Sequence, residues 1–505
     1  MRTELIGQEV LAMYDVRGIQ NYIFKSNAAK EIIGASKLVE KIVTDGLNTY
    51  IKDRVEEMSR SKYMTDWEHD DAITFLKDKS IIMQVLFIGG GNAYVLFREG
   101  QQCQKINRFL AKYVLDKTYS LNLAVAVVKK TDSYKNDYAA INEEMRRIKA
   151  FMPSTKPAGA LPFMAADTIT GYPLTARDHA TGDYICTEAR LKRDNFPSNE
   201  NEKVFDKMVT QKGDNSTLAV CHIDGNSMGI RIMTKMQGIA SYEQAVPTMR
   251  CLSLEISETF GRAYDDMIRY MDRLAPQVKK DAVNKLHRKI VAAGDDITFV
   301  CNAKLAIPAV RYFLEHVAES GTGDAVYSAC GGIAFFNSHF PFSDAYQVAE
   351  ACCDSAKKRA KEKENRGSGI GNFLDFQICT NIRAADLDAY RDKHYSTEGS
   401  CFIARPYFVP GAKDTAEFRK KNEKYDIERL IKCVKYFVNV MPRSKAKELR
   451  GIIPMGENEL KKEISFLQSR GYMDDCSLAD RGVWYDALEL MDLYIDEEQA
   501  DEDKN

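Results

Sequence analysis

The sequence predicts an α+β protein built on an internal duplication and closed by a helical C-terminal region. Three observations lead there. The segment order β-αα-β-β-α-β-α runs twice along the chain, the second run adding a last strand. In each run a glycine hairpin follows a strand-end aspartate at a similar distance: 76 residues separate Asp15 from Gly91, and 71 separate Asp224 from Asp295. Beyond about Ile382 the apolar residues take helical spacing.

The first copy opens with a strand at Glu9–Asp15 and continues into a helical stretch from Gly18 to about Val55, with Ile32, Ile33, Leu38, Val39 and Ile42 in helical phase. Ser80–Phe97 reads as a hairpin turning at Gly89-Gly90-Gly91-Asn92. A helix at Gln101–Leu115, a strand at Asn122–Val128 and a helix at Asp137–Phe151 complete it. Met152–Asp214 carries Pro153, Pro157, Pro162, Pro173 and Pro197 and a polar run from Asn195 to Lys203, and reads as a connection with little core of its own. The second copy starts with a strand at Thr217–Ile223 and helices within Met228–Ala275. Its hairpin turns at Gly294-Asp295-Asp296, between Lys289–Ala292 and Ile297–Val300. A helix (Lys304–Glu319), a strand (Ala325–Phe335), a helix (Phe342–Glu364) and a strand (Asn372–Cys379) follow. Five helices are expected after that, then an acidic tail at Glu497–Asn505. The expected division is 1–151, 152–215, 216–382 and 383–505.

The bulk numbers exclude several classes. Hydrophobic residues make up 45% and charged residues 29%, an ordinary globular composition. Lysine and arginine number 71 against 73 acids, so the chain as a whole is no nucleic-acid glove. The 12 cysteines form no CxxC pair, which argues against a zinc ribbon or a disulfide framework. The first residues lack the apolar core of a signal peptide, and no apolar run approaches the ~20 residues needed to span a bilayer. A cytoplasmic protein is expected.

The chemistry concentrates at two strand ends. Two adjacent acids on a tight turn, Asp295 and Asp296, repel each other, and a divalent cation is the usual means of holding them together. Asp224 ends another apolar strand, in Val220-Cys221-His222-Ile223-Asp224. A strand-end Asp beside an Asp-Asp hairpin is the metal-binding layout of palm-type nucleotidyl transferases and cyclases. The fold expected is therefore α+β: two ferredoxin-like palm domains of GGDEF/cyclase type, a helical linker and a C-terminal helical domain. Nucleotidyl transfer needs two divalent ions, Mg²⁺ or Mn²⁺, and Asp224, Asp295 and Asp296 can supply their ligands. Aligning the two hairpins sets Gly90 opposite Gly294, Gly91 opposite Asp295 and Asn92 opposite Asp296, so the first copy keeps the turn and loses both acids.

Each candidate also has a plainer reading. Gly294-Asp295-Asp296 by itself is equally a solvated turn. Gly225 and Gly229 can let phosphates approach backbone N–H groups at a helix start, or be turn glycines. Ser227 can contact phosphate or cap the helix. Lys357, Lys358 and Lys361 can point at a triphosphate or form a solvated basic face. Gly90 and Gly91 can shape a metal-free nucleotide pocket or serve as a permissive turn. His222 is expected to be a buried core histidine. His69-Asp70 resembles a nuclease doublet, but the seven histidines do not supply the rest of such a site.

With these residues in view, the chain resembles the large polymerase/cyclase subunit of type III CRISPR effector complexes, in its form lacking an HD nuclease. Asp15-Val-Arg-Gly-Ile-Gln-Asn-Tyr-Ile-Phe24 and Gly34-Ala-Ser-Lys-Leu38 are similar to the opening of the first palm, and Gly89-Gly-Gly-Asn92 to its degenerate hairpin. Asp224-Gly-Asn-Ser-Met-Gly229 is similar to the second-palm aspartate motif and Ala293-Gly-Asp-Asp296 to the family's GGDD. Phe336-Asn-Ser-His-Phe-Pro-Phe342, Leu374-Asp-Phe376 and Pro442-Arg-Ser-Lys445 are similar to later segments.

The resemblance implies a cyclase that joins ATP molecules 3′-to-5′ into cyclic oligoadenylate, switched on by target RNA bound to the assembled complex. It implies catalytic and metal roles for Asp224, Asp295 and Asp296. Gly225, Asn226, Ser227, Gly229, Gly294, Lys357, Lys358, Gly90 and Gly91 are the nucleotide-binding candidates. There are three departures. An N-terminal HD nuclease domain is missing, so DNA cutting is not expected. Zinc-binding cysteines between the palms are absent. Asn226 stands where the family usually has a second Asp, and Ala293 replaces the first Gly of GGDD. The alternative is a catalytically weak palm scaffold within an RNA-guided complex, which would need basic grooves for RNA and partner surfaces on the C-terminal helices.

Overall fold

The structure, a computed structural model, describes residues 3–89, 92–152, 157–179, 181–197, 204–209, 216–279, 286–319, 326–362, 371–380, 382, 386–397, 400–473, 481–495 and 497. In chain order the elements begin with β1 (Val10–Arg17), α1 (Ile19–Phe24), α2 (Ala29–Glu40), α3 (Ile42–Arg54), β2 (Tyr63–Met64), α4 (Thr74–Lys77), β3 (Met83–Gly89) and β4 (Asn92–Phe97). Next come α5 (Gly100–Thr118), β5 (Asn122–Lys129), α6 (Tyr134–Phe151), β6 (Leu174–Arg177), β7 (Tyr184–Cys186), α7 (Thr187–Asp194) and α8 (Val204–Met208). Then follow β8 (Thr217–Gly225), α9 (Met228–Lys235), α10 (Tyr242–Val278), β9 (His287–Ala293), β10 (Asp296–Asn302), α11 (Ala303–His316), β11 (Ala329–Asn337), α12 (Phe342–Ala360) and β12 (Asn372–Ile378). The chain closes with α13 (Leu387–His394), β13 (Ser396–Thr397), β14 (Ser400–Cys401), β15 (Tyr407–Val409), α14 (Ala416–Asn422), α15 (Ile427–Asn439), α16 (Arg443–Ile452), α17 (Glu457–Ser469) and α18 (Arg481–Leu490).

The chain is α+β and forms two compact units: residues 1–202 with 227–258, and residues 203–226 with 259–505. The first unit holds a sheet of order β2-β3-β4-β1-β5 and the second a sheet of order β15-β12-β11-β8-β10-β9. Within each, four strands repeat one arrangement: β3-β4-β1-β5 and β9-β10-β8-β11 share the same order and the same antiparallel pairings. The duplicated segment order of the sequence is thus a duplicated sheet topology.

In the first unit β1 is buried on both faces. Leu11 and Met13 join one core with Phe87, Leu96, Ala124, Ile141 and Met145. On the other face the Tyr14 hydroxyl donates to Asn107 on α5 at 2.6 Å, where Cys103, Ile106, Leu110 and Val114 form the buried stripe. Lys192 on α7 is almost fully buried. A buried ammonium must be paired, and Lys192 donates to the Tyr22 carbonyl and to Glu188, both at 2.7 Å.

In the second unit two adjacent glycines on β11 set the helix layers. A Cβ at Gly331 would collide with Val310 on α11, and one at Gly332 with the backbone of Ala349 and Cys353 on α12. Side chains alternate across a strand, so α11 and α12 cover opposite faces of this sheet.

Two expectations need correcting. The region after 382 is not only helical: β15 joins the sheet by pairing with β12, Asn372 opposite Val409. The connection read as irregular carries the β6–β7 hairpin and a small core of Tyr172, Ile185, Cys186 and Ala189. Both features are strands of three or four residues, too short to show a period in sequence. No described helix is long and apolar enough to cross a membrane.

Candidate metal and nucleotide site

Asp224 and Asp296 come together where β8 ends and β10 begins, in the interior of the second unit's sheet, with Asp295 in the loop that precedes β10. Asp224 lies directly opposite Asp296 in the antiparallel register. The β9–β10 connection is the two-residue loop Gly294-Asp295, since Ala293 already pairs with Asp296. Gly294 has φ 66°, the left-handed value a type II′ hairpin asks of its first loop residue. The Gly225 N–H donates to the Asp295 carbonyl at 3.2 Å, tying the end of β8 to that loop.

Register also decides which face the acids occupy. Asp224 and His222 lie opposite Cys330 and Gly332 of β11, and Asp296 and Thr298 lie opposite them on β10. Gly332 is the residue whose missing Cβ admits α12. Asp224 and Asp296 therefore share the α12 face, and Lys357 on α12 forms an ion pair with Asp224. His222 is buried, with Nδ1 at 3.1 Å from Thr298 Oγ1 and 3.5 Å from Asp296 Oδ1. Burial pulls its pKa below the ordinary histidine value, against the nearby acids, so it is neutral near pH 7.

The acids strain against one another. Burial, then the charges of Asp224 and Asp296, push the Asp295 carboxyl up to about 6. Burial and the Asp224 charge have opposite effects on Lys357; the ion pair wins and its pKa rises. Among the described residues no group of three or more acids, histidines or cysteines is already arranged as a metal cage. The donor chemistry nevertheless suits Mg²⁺ or Mn²⁺, because three carboxylates supply hard oxygens and negative charge in excess of the one lysine.

A raised carboxyl pKa destabilises the ionised form of the fold. Stability from this group is greatest at low pH and is lost as pH rises through the window between the ordinary aspartate value and about 6. In chelator at pH 7.5, Asp295→Asn is expected to stabilise the protein by ~1–2 kcal/mol, the cost of ionising this buried carboxyl discounted for solvent screening. A denaturation midpoint equal to wild type or lower would contradict this.

The nucleotide candidates divide. Gly225, Gly294 and Lys357 stand with the acids. The Asn226 amide is buried, donating to Ser328 Oγ at 3.3 Å and to the Gly371 carbonyl at 3.2 Å, while its Oδ1 accepts no hydrogen bond from the described residues. Lys358 is solvated and pairs with Asp388 at 3.2 Å. Ser227, at φ 58°, precedes α9 but makes no side-chain capping bond. Gly229 has ordinary backbone, and a Cβ there would meet nothing within 4 Å. Gly229→Ala is therefore expected to leave the melting temperature unchanged or raise it by a few degrees; a lowered one would show that the glycine is structural. Gly90 and Gly91 lie outside the described residues.

Sequence reading missed part of the α12 face. The charges of Glu350 and Asp354 act on His222, and Tyr346 packs edge-on to its ring with centroids 5.9 Å apart. Burial raises the Glu350 pKa, and Asp354, Asp296 and Asp224 push the same way against His222. The spacing 346, 350, 354, 357 on one helix was the available signal. Also missed was the partner of Asp15: on β1, opposite Asn92, it forms an ion pair with Lys149 on α6. Asp224 and Lys357 stand 133 residues apart, and this pair repeats that arrangement at almost the same separation.

The chain is similar in fold to Csm1 in T. onnurineus, with a TM-score of 0.50 and 12% identity, covering 97% of this chain and 69% of that one. It is similar to a chain of the apo Csm1-Csm4 cassette, with a TM-score of 0.50 and 12% identity over 98% of this chain and 71% of that one. A third neighbour is the Csm1-Csm4 subcomplex in the type III-A CRISPR-Csm interference complex, with a TM-score of 0.47 and 12% identity over 96% of this chain and 70% of that one. The chain thus shares a fold with Csm1 over nearly its whole length, in agreement with the resemblance read from its motifs. No protein-family model and no curated protein matches it.

Proposed function

We propose that this chain, which shares the fold of Csm1, is a metal-dependent nucleotidyl transferase that joins ATP into a (cyclic) oligoadenylate second messenger in type III CRISPR-like antiviral defence. The observation that carries the reading is Asp224 in register with Asp296, with Asp295 in the adjoining loop. In this reading each four-strand repeat is a palm domain, the first degenerate, within the divisions 1–151, 152–215, 216–382 and 383–505. Its partners are ATP and, by resemblance, RNA-guided effector subunits and target RNA, in the cytoplasm.

Asp224, Asp295 and Asp296 would hold two Mg²⁺ or Mn²⁺ ions, which when bound activate a 3′-hydroxyl and steady the triphosphate. The chain's own residues do the rest. Lys357 and Lys358 place ammonium charges for phosphate oxygens. Gly225, through its N–H to the Asp295 carbonyl, and the loop around Gly294 fix where Asp295 sits. Asn226 offers a neutral amide oxygen where the family usually has an acid, so the site binds its ions with one charge fewer. Neutral His222 adds no positive charge to compete with them.

The test is direct. The protein is incubated with ATP and Mn²⁺ or Mg²⁺, with and without a candidate partner RNA complex, and the products are analysed by mass spectrometry. Adenylate oligomers from wild type and none from Asp295→Ala/Asp296→Ala are expected. The same products from both proteins would refute the assignment.

A further inference from the structure

We propose that Lys357 is a resident cation on the Asp224 carboxylate, one that a divalent ion must displace, so that metal arrival releases its ammonium group. This rests on the site reading above and adds to it a device that couples metal binding to the presentation of a lysine.

Three observations carry it. First, Lys357 pairs with the acid that lies in register with Asp296, and not with a surface partner. Its side chain is only 18% exposed and that of Asp224 35%, so water competes weakly for the contact. A metal ion that takes Asp224 brings like charge against the ammonium, and both cannot stay at full strength on one carboxylate. Second, the displaced ammonium has somewhere to go. Lys357 also lines a cavity of about 340 Å³ between α12 and α13, together with Lys358 and Lys361. Asp354 and Asp388 line it as well, and Lys358 already pairs with Asp388. Arrival of Lys357 would give three lysines against two acids there, a surplus that suits an anion such as a phosphate group.

Third, the first copy shows the same pair without the hairpin acids. Asp15 pairs with Lys149 from the matching helix, while Asn92 holds the place of Asp296. The fold therefore supplies a lysine counter-ion to this strand-end aspartate whether or not the rest of a metal site is present. In the first copy Lys149 keeps its partner, since a single acid does not draw in a divalent ion to displace it. In the second copy three acids can.

The test is Mn²⁺ binding to the full chain without nucleotide, read by the electron paramagnetic resonance signal of free Mn²⁺. Lys357→Gln is expected to bind Mn²⁺ about 3- to 10-fold more tightly than wild type, the reach of one partly buried ion pair. Lys361→Gln removes the same charge one helical turn away, and Lys149→Gln breaks the pair in the first copy; both are expected to stay within about 2-fold of wild type. With Mn²⁺ present, Lys357→Gln is expected to bind a non-hydrolysable ATP analogue more weakly. Unchanged or weaker Mn²⁺ binding by Lys357→Gln overturns the displacement idea, as does an equal gain from Lys361→Gln, which would reflect net charge alone. If wild type and Asp295→Ala/Asp296→Ala bind Mn²⁺ alike, the metal site itself is refuted, a distinct outcome.

Discussion

Alanine at both Asp295 and Asp296 is expected to lower ATP-dependent product formation by roughly 10²–10³-fold or more, while leaving the protein folded. The two effects separate because the acids destabilise the metal-free fold. Burial and mutual repulsion hold the Asp295 carboxyl up at about 6, and Lys357 pairs with Asp224. Removing two of three like charges relieves that repulsion, so the melting temperature in chelator is expected to rise or hold. The stabilisation that saturating Mn²⁺ confers on wild type is expected to vanish in the double variant. Product mass spectrometry and thermal unfolding with and without Mn²⁺ check both halves. A double variant that melts well below wild type in chelator would mean that the acids hold the hairpin together and do not strain it.

Asp486→Ala is expected to cost ~3–5 kcal/mol in the second unit, the penalty of removing one of two acids from a buried arginine and the acceptor from three hydrogen-bond donors. Asp486 is fully buried on α18. It accepts hydrogen bonds from the backbone N–H groups of Ala404 (2.9 Å) and Arg405 (3.1 Å) and from the Tyr407 hydroxyl (2.7 Å). It also lies 3.7 Å from the buried Arg405 guanidinium, which pairs with Glu489 at 2.9 Å. Burial raises its carboxyl to about 6 even against Arg405, so the group is held by its partners and not by solvent. The cluster anchors the segment that becomes β15, and β15 pairs with β12, two strands from Asp224. Trp484 stands two residues away on α18. In a Trp67→Phe background its fluorescence during urea unfolding reports this unit. Asp486→Asn, which keeps the shape and loses the charge, is expected to fall between wild type and alanine. An unchanged midpoint for Asp486→Ala would show that the cluster is not a structural anchor.

Periodicity and spacing determined a good deal by themselves. The α+β class, the repeated segment order and the turn at Gly294 were all legible, because each is a local property: a pleat of period two, a helix of period 3.6, a glycine where φ must be positive. The equivalence of Asn92 with Asp296 followed from counting residues, and the register confirmed it, since Asp15 faces Asn92 as Asp224 faces Asp296. Long-range contacts decided the rest. Nothing local marks Lys357 or Lys149 as the partner of a strand-end aspartate. The gap at Gly332 that lets α12 lie close on β11 brings Lys357 there in the second unit. Nothing in the sequence singles out Glu350 and Asp354; it is the packing of α12 that sets their charges to act on His222. The buried Arg405–Asp486–Glu489 cluster joins residues about 80 apart, and its members become interpretable only once their burial together is seen, because a charge taken out of water needs partners.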